Sequence, residues 1–138
     1  MEKTGDPQSP GGLRIWMVED NADTAEMTAL ALRLHGHEVR IALDGPTVLP
    51  MAQVQRPDVV LLDIGLPQMD GWEVARRLRK QTGPGEKPPL LIAITGYGGP
   101  ENERRSKDAG IDLHFVKPVD MEELQGILSR FRASLDDK

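Results

Sequence analysis

Cysteine is absent from the 138 residues, and histidine occurs only as His35, His37 and His114. Disulfides and thiol chemistry are therefore excluded, and a Cys/His zinc site has only three imidazoles to draw on. His35 and His37 flank a turn and have no acidic partner close in sequence, so neither reads as a metal ligand. No apolar run approaches the ~20 residues a membrane-crossing helix needs, and the N-terminal MEKTGDPQSPGG lacks the apolar core of a signal peptide. Long basic runs are missing too. The 17 Lys and Arg stand against 22 Asp and Glu, a formal charge of −5, with no stretch that would track a phosphate backbone. Neither nucleic acid nor a membrane is expected as a direct partner, and the protein is expected in the cytoplasm. The oligomeric state is left open.

What the chain does have is a series of short apolar runs, each followed by a functional group. Glu19 and Asp20 follow RIWMV, Asp63 follows VVLL, Thr95 closes LLIAIT, and Lys117 follows HFV. The length suits one domain able to bury its own core. Residues 1–12 hold Gly5, Pro7, Ser9, Pro10, Gly11 and Gly12 with little apolar content, and are expected as a flexible leader to a domain spanning 13–138. Strands are predicted from Arg14 to Val18, Glu38 to Ala42, Asp58 to Asp63, Leu90 to Thr95 and Leu113 to Val116. A helix with Ala22, Ala25, Ala29 and Leu32 on one stripe runs to Leu34, and Gly36 is a candidate left-handed cap. The next begins at Asp44-Gly45-Pro46, and Pro50 within it predicts a kink or a late start. Pro67 with Asp70-Gly71 makes the loop before a helix from Trp72 to Lys80. Gly96, Gly98, Gly99 and Pro100 form the loop before a helix ending near Ala109-Gly110. The last helix starts near Asp120 with Met121, Leu124, Leu128 and Phe131 on one face.

Strands alternating with helices imply an α/β fold with a doubly wound five-stranded parallel sheet, for which the order 2-1-3-4-5 fits. Its ligand crevice lies at the switch point between the first and third strands, which deliver Glu19, Asp20 and Asp63. Three carboxylates at one rim repel, so a cation belongs there. A compact all-oxygen site favours Mg²⁺, with Mn²⁺ as a substitute, and Mg²⁺ commonly bridges carboxylates to phosphate. An Asp can then take up a phosphoryl group as nucleophile, with a metal and an ammonium neutralising its oxygens and a hydroxyl donating to it. Asp63, Lys117 and Thr95 supply those parts.

The chain closely resembles the receiver domain of two-component response regulators, a flavodoxin-like fold. The matches are VEDN at 18 to 21, LLDIGLPQMDG at 61 to 71, AITGYG at 93 to 98 and VKPVD at 116 to 120, with separations of 43, 32 and 22 residues between Asp20, Asp63, Thr95 and Lys117. The wording is most similar to receivers of hybrid sensor histidine kinases. The resemblance implies that Asp63 is the phosphoacceptor, Asp20 a direct Mg²⁺ ligand, Glu19 a ligand through water, and Gly65 a ligand through its carbonyl. It also implies that Thr95 bonds the bound phosphoryl group and that Lys117 pairs with it, held by a cis bond to Pro118. The implied partner is a sensor histidine kinase or histidine phosphotransfer protein, with a protein target downstream. The domain is then a phosphoacceptor that promotes its own phosphotransfer and dephosphorylation, rather than an enzyme turning over a metabolite.

Two positions depart from the family's commonest pattern. His114 stands where an aromatic that rotates on phosphorylation is frequent, and Gly65 where many relatives carry a larger side chain. Gly65 and Tyr97 flank the route of attacking water. His114 is expected as a partly exposed edge residue, Trp16 as core, Trp72 as a helix-face or partner-contact residue, and Arg76, Arg77, Arg79 and Lys80 as a solvated face. Two other functions fit parts of the pattern. A Mg²⁺-dependent phosphohydrolase with an Asp nucleophile usually needs a second Asp two residues on, where this chain has Gly65. A pseudo-receiver that works by binding alone would not need the acid, hydroxyl and lysine set.

Overall fold

The computed structural model describes residues 12–65, 69–96 and 100–136. Strand β1 (Arg14–Val18) leads into helix α1 (Ala22–Leu34), β2 (Glu38–Ala42) and α2 (Gly45–Val54). Then follow β3 (Val59–Asp63), α3 (Gly71–Gln81), β4 (Leu90–Thr95), α4 (Pro100–Asp108), β5 (Leu113–Val116) and α5 (Met121–Asp136). All pairings are parallel and the order is β2-β1-β3-β4-β5, as the alternation of elements predicts. The predicted leader lies outside the described residues apart from Gly12, and so do Pro67, Gly98 and Gly99 of the predicted loops.

Strand side chains alternate between the two faces of the sheet, and each face has its own core. Trp16, Val18, Val60, Leu62, Leu91 and Ala93 pack with Val48 and Ala52 of α2 and Val74, Ala75 and Leu78 of α3. Ile15, Met17, Val59, Leu61 and Ile92 pack with Ala25, Ala29 and Leu32 of α1 and Leu124 and Leu128 of α5. Central β3 is buried along its whole length, which accounts for its unbroken apolar sequence. Side-chain caps start the first three helices: Asn21, Asp44 and Asp70 each accept a hydrogen bond from the N–H three residues on. Gly36 ends α1 with φ of 93°, a conformation open to glycine.

Several expectations need adjustment. Ala22 is exposed at the start of α1, so the buried stripe is Ala25, Ala29 and Leu32. Helix α2 does not start late: it begins at Gly45 with Pro46 in its first turn and runs through Pro50 to Val54. The hydrogen bond Pro50 cannot donate would have gone to the Pro46 carbonyl, and both prolines are exposed, so water can satisfy that oxygen. Strand β3 starts at Val59, because Asp58 serves instead as a clamp: its carboxylate accepts the Arg14 N–H at 2.8 Å and its own N–H reaches the Arg14 carbonyl. Helix α3 exceeds its predicted span by one residue at each end.

Trp72 belongs to the core, 9% exposed, with its indole N–H donating to Ser106 Oγ at 3.0 Å and the Arg105 guanidinium 3.8 Å from its ring centre. Trp16 is buried as expected. His114 is half-buried, but both ring nitrogens are covered and have no hydrogen-bond partner.

Candidate functional site

Register brings the functional groups to one level. Val18 pairs with Leu62, Asp63 with Ile94, and Thr95 with Val116, so Glu19, Asp63, Thr95 and Lys117 arrive together at the C-terminal rim. Carboxylate oxygens of Glu19, Asp20 and Asp63 lie within 4.8 Å of one another. Glu19 and Asp63 are 7% and 9% exposed, whereas Asp20 faces solvent. Lys117 Nζ stands 3.4 Å from Asp63 Oδ2 and 3.6 Å from Glu19 Oε1. The other oxygens are held from the backbone: the Asn21 N–H donates to Glu19 Oε2 and the Gly65 N–H to Asp63 Oδ1, both at 3.0 Å. Thr95 is buried at the end of β4, and its carbonyl accepts the Lys117 N–H at 2.7 Å. The Lys117-Pro118 bond is cis.

The charges are unbalanced. Burial raises the Glu19 carboxyl above its ordinary value, the Asn21 N–H works against this, and the Asp63 charge adds to it. Burial pulls the Lys117 ammonium downward, but Asp63 and Glu19 together outweigh it and hold the group above the usual lysine range. One ammonium faces three carboxylates. The oxygen-only donor set, with one open and two buried carboxylates, suits a small hard divalent cation that keeps part of its water.

The site residues named from the sequence, Glu19, Asp20, Asp63, Thr95 and Lys117, thus meet at this rim, with Gly65 directly after it; Tyr97 lies outside the described residues. Sequence reasoning missed two things. Gly71 is the first: a Cβ there would lie 2.9 Å from the Asp63 carbonyl oxygen and 2.9 Å from Ile64 Cα, both backbone atoms that cannot swing aside. The start of α3 therefore rests on the peptide that carries Asp63. Gly71→Ala restricts the unfolded chain, a gain of ~0.4–1 kcal/mol, but overpacking costs ~1–3 kcal/mol, so net destabilisation is expected. Chemical denaturation measures it, and an unchanged or higher midpoint would mean that the helix start shifts freely.

The second is a groove of about 700 Å³ beside the acids, lined largely by apolar groups including Met17, Met27, Ala31, Ile94 and Met121. Met27, Leu30 and Leu34 continue it along the exposed face of α1, at 73%, 58% and 78% exposure. The signal was present as a second apolar stripe at 27, 30 and 34.

A family model described as the response regulator receiver domain matches residues 15–129. Among curated proteins, the chain is 37% identical over 123 residues to response regulator MprA of Mycobacterium tuberculosis, covering 89% of this chain and 50% of that one. It is 32% identical over 122 residues to the DNA-binding dual master transcriptional regulator RpaA of Synechocystis, covering 88% and 48%. The chain spans about half the length of these curated relatives. Among solved structures it is similar to the receiver domain of sensor histidine kinase PA1611 from Pseudomonas aeruginosa, which holds a magnesium ion in its active-site cleft. The TM-score is 0.76 and the identity 30%, over 88% of this chain and 98% of that one.

Proposed function

The chain belongs to the response regulator receiver domain family, phosphoaccepting signalling switches of two-component systems, and from that membership we propose that Asp63 is its phosphoacceptor. The observation that carries the reading is the joint placement of Asp63 within 4.8 Å of Glu19 and Asp20 and 3.4 Å from Lys117 Nζ. A carboxylate oxygen of Asp63 forms the new P–O bond as the P–N bond of a phosphohistidine donor breaks, and the departing imidazole takes its proton from solvent. Lys117 stands ready to pair with the arriving phosphoryl oxygens, and the Thr95 hydroxyl to donate to one of them. Asp20 and Asp63 would hold Mg²⁺ directly, with Glu19 through water and the Gly65 carbonyl completing the protein's ligands; Mn²⁺ suits the same oxygens. When bound, the cation neutralises charge on the transferring group.

The donor in this reading is a sensor histidine kinase or a histidine phosphotransfer protein. The apolar face of α1, continuous with the groove at the acidic rim, supports a protein docking there rather than a small metabolite. The domain, taken as residues 13–138, promotes its own phosphorylation and dephosphorylation without turning over a metabolite. No helix among the described residues is long and apolar enough to cross a membrane, which agrees with a cytoplasmic setting. Intact mass after incubation with Mg²⁺ and acetyl phosphate tests the reading. A persistent adduct of one phosphoryl group is expected. Phosphate release without an adduct would favour a phosphohydrolase, and no reaction would favour a binding module.

A further inference from the structure

Helix α5 is fastened to the sheet by a buried imidazole that takes no part in the acidic rim. His37 sits just before β2, at the opposite end of the sheet from Asp63, and is 3% exposed. Its Nδ1 lies 3.1 Å from the backbone nitrogen of Leu13, the residue before β1. A backbone amide can only donate, so Nδ1 accepts and carries no proton, which leaves the proton of the neutral ring on Nε2. Nε2 lies 3.0 Å from Gln125 Oε1 on α5, the acceptor that this tautomer requires. The Gln125 amide nitrogen in turn donates to Ser129 Oγ at 3.3 Å.

The charged ring has no place here. A proton on Nδ1 would confront the Leu13 N–H, two donors with no acceptor between them. The surrounding charges offer no relief: His35, in the same turn, repels a second positive ring. On α1, Arg33 is engaged with the Val39 carbonyl at 2.7 Å. On β1 and β2, Arg14 and Glu38 pair with each other at 3.3 Å, and Arg40 lies 3.7 Å from the same Glu38. Helix α5 brings the uncharged Gln125 and Ser129, with Glu122 exposed before them and Arg132 half-buried after.

We propose that His37 is a proton-sensitive latch, holding α5 and the entry of β1 to the start of β2 while neutral and releasing both when protonated. Burial lowers the His37 pKa, Gln125 opposing and His35 assisting. The folded chain therefore takes up this proton less readily than the unfolded one, whose histidines titrate near ~6.5. The latch is fully closed above that pH and is lost as pH falls through the lower folded-state value. Because Met121 and Val119 line the groove beside the acids, loosening α5 alters a wall of that groove as well.

Nuclear magnetic resonance on the full 138-residue chain tests this. At pH 7.5 His37 should be the Nε2–H tautomer, and it should titrate below the ~6.5 of an unfolded-chain histidine. In the window between its folded and unfolded pKa, the opening that exposes the Leu13 amide and the α5 amides should rise by up to about tenfold per pH unit. His37→Gln should abolish that pH step, and His35→Gln should keep it. An Nδ1–H tautomer, protonation of His37 that leaves Leu13 and α5 unmoved, or a step surviving in His37→Gln would overturn the latch. If His37→Gln does not fold, the wild-type tautomer and titration decide alone.

Discussion

Asp63→Asn should take up no phosphoryl group under conditions in which the wild-type chain gains the ~80 Da adduct of one. Asn has almost the same shape, and its side-chain oxygen can still accept the Gly65 N–H that now reaches Asp63 Oδ1 at 3.0 Å. The end of β3 is therefore preserved, and circular dichroism should match that of the wild type. What is lost is the anionic oxygen that attacks phosphorus. Neither neighbouring carboxylate is placed to take over: Glu19 is tied at Oε2 to the Asn21 N–H, and Asp20 faces solvent. The expected effect is thus complete loss rather than slowing. A full adduct on the variant would move the phosphoacceptor elsewhere.

The positions of Glu19, Asp20, Asp63, Thr95 and Lys117 were legible in the sequence because a parallel sheet turns the strand ends into one rim, so each apolar run reports where its successor lies. Strand order was legible for the same reason: right-handed crossovers leave few arrangements for five alternating pairs. Features that depend on three-dimensional packing were not. Pro50 reads locally as a helix breaker, yet α2 continues through it, with Pro46 and Pro50 both exposed so that water can take the place of the missing hydrogen bond. Ala22 has the right spacing for the buried stripe but lies at the solvent end of α1. Gly71 looks like an ordinary turn glycine, and its close approach to the Asp63 carbonyl appears only once α3 docks. His37 and Gln125 are 88 residues apart, a separation at which no local pattern announces a hydrogen bond.

The crowding of charge at the rim leads to the second large effect. At the 4.8 Å limit of the cluster, two buried carboxylates such as Glu19 and Asp63 repel by about 3–4 kcal/mol at an effective dielectric of 20. Lys117 offsets part of this through its contacts at 3.4 and 3.6 Å, and a single positive charge cannot neutralise three negative ones. A divalent cation binds only where the fold gathers the three acids, so it should stabilise the folded state by ~2.7 kcal/mol at a hundred times its dissociation constant. For a domain of this size that is a rise in Tm of roughly 10 °C. Asp20→Ala should remove most of the rise, since Asp20 is the open carboxylate through which a partly hydrated ion would be held. Without metal the same variant should melt no lower than the wild type, because it removes a repelling charge and no buried contact. These opposite signs separate a metal site from a structural role: an ordinary helix-start carboxylate would lower the metal-free Tm on removal and leave the Mg²⁺ increment unchanged. Calorimetric melting of both proteins across a Mg²⁺ series, with Ca²⁺-free buffer and constant ionic strength, gives the comparison. A wild-type Tm that does not move at saturating Mg²⁺ would show that the acids at this rim hold no cation, and their repulsion would then have to be relieved by protonation of Glu19, whose burial already raises its pKa.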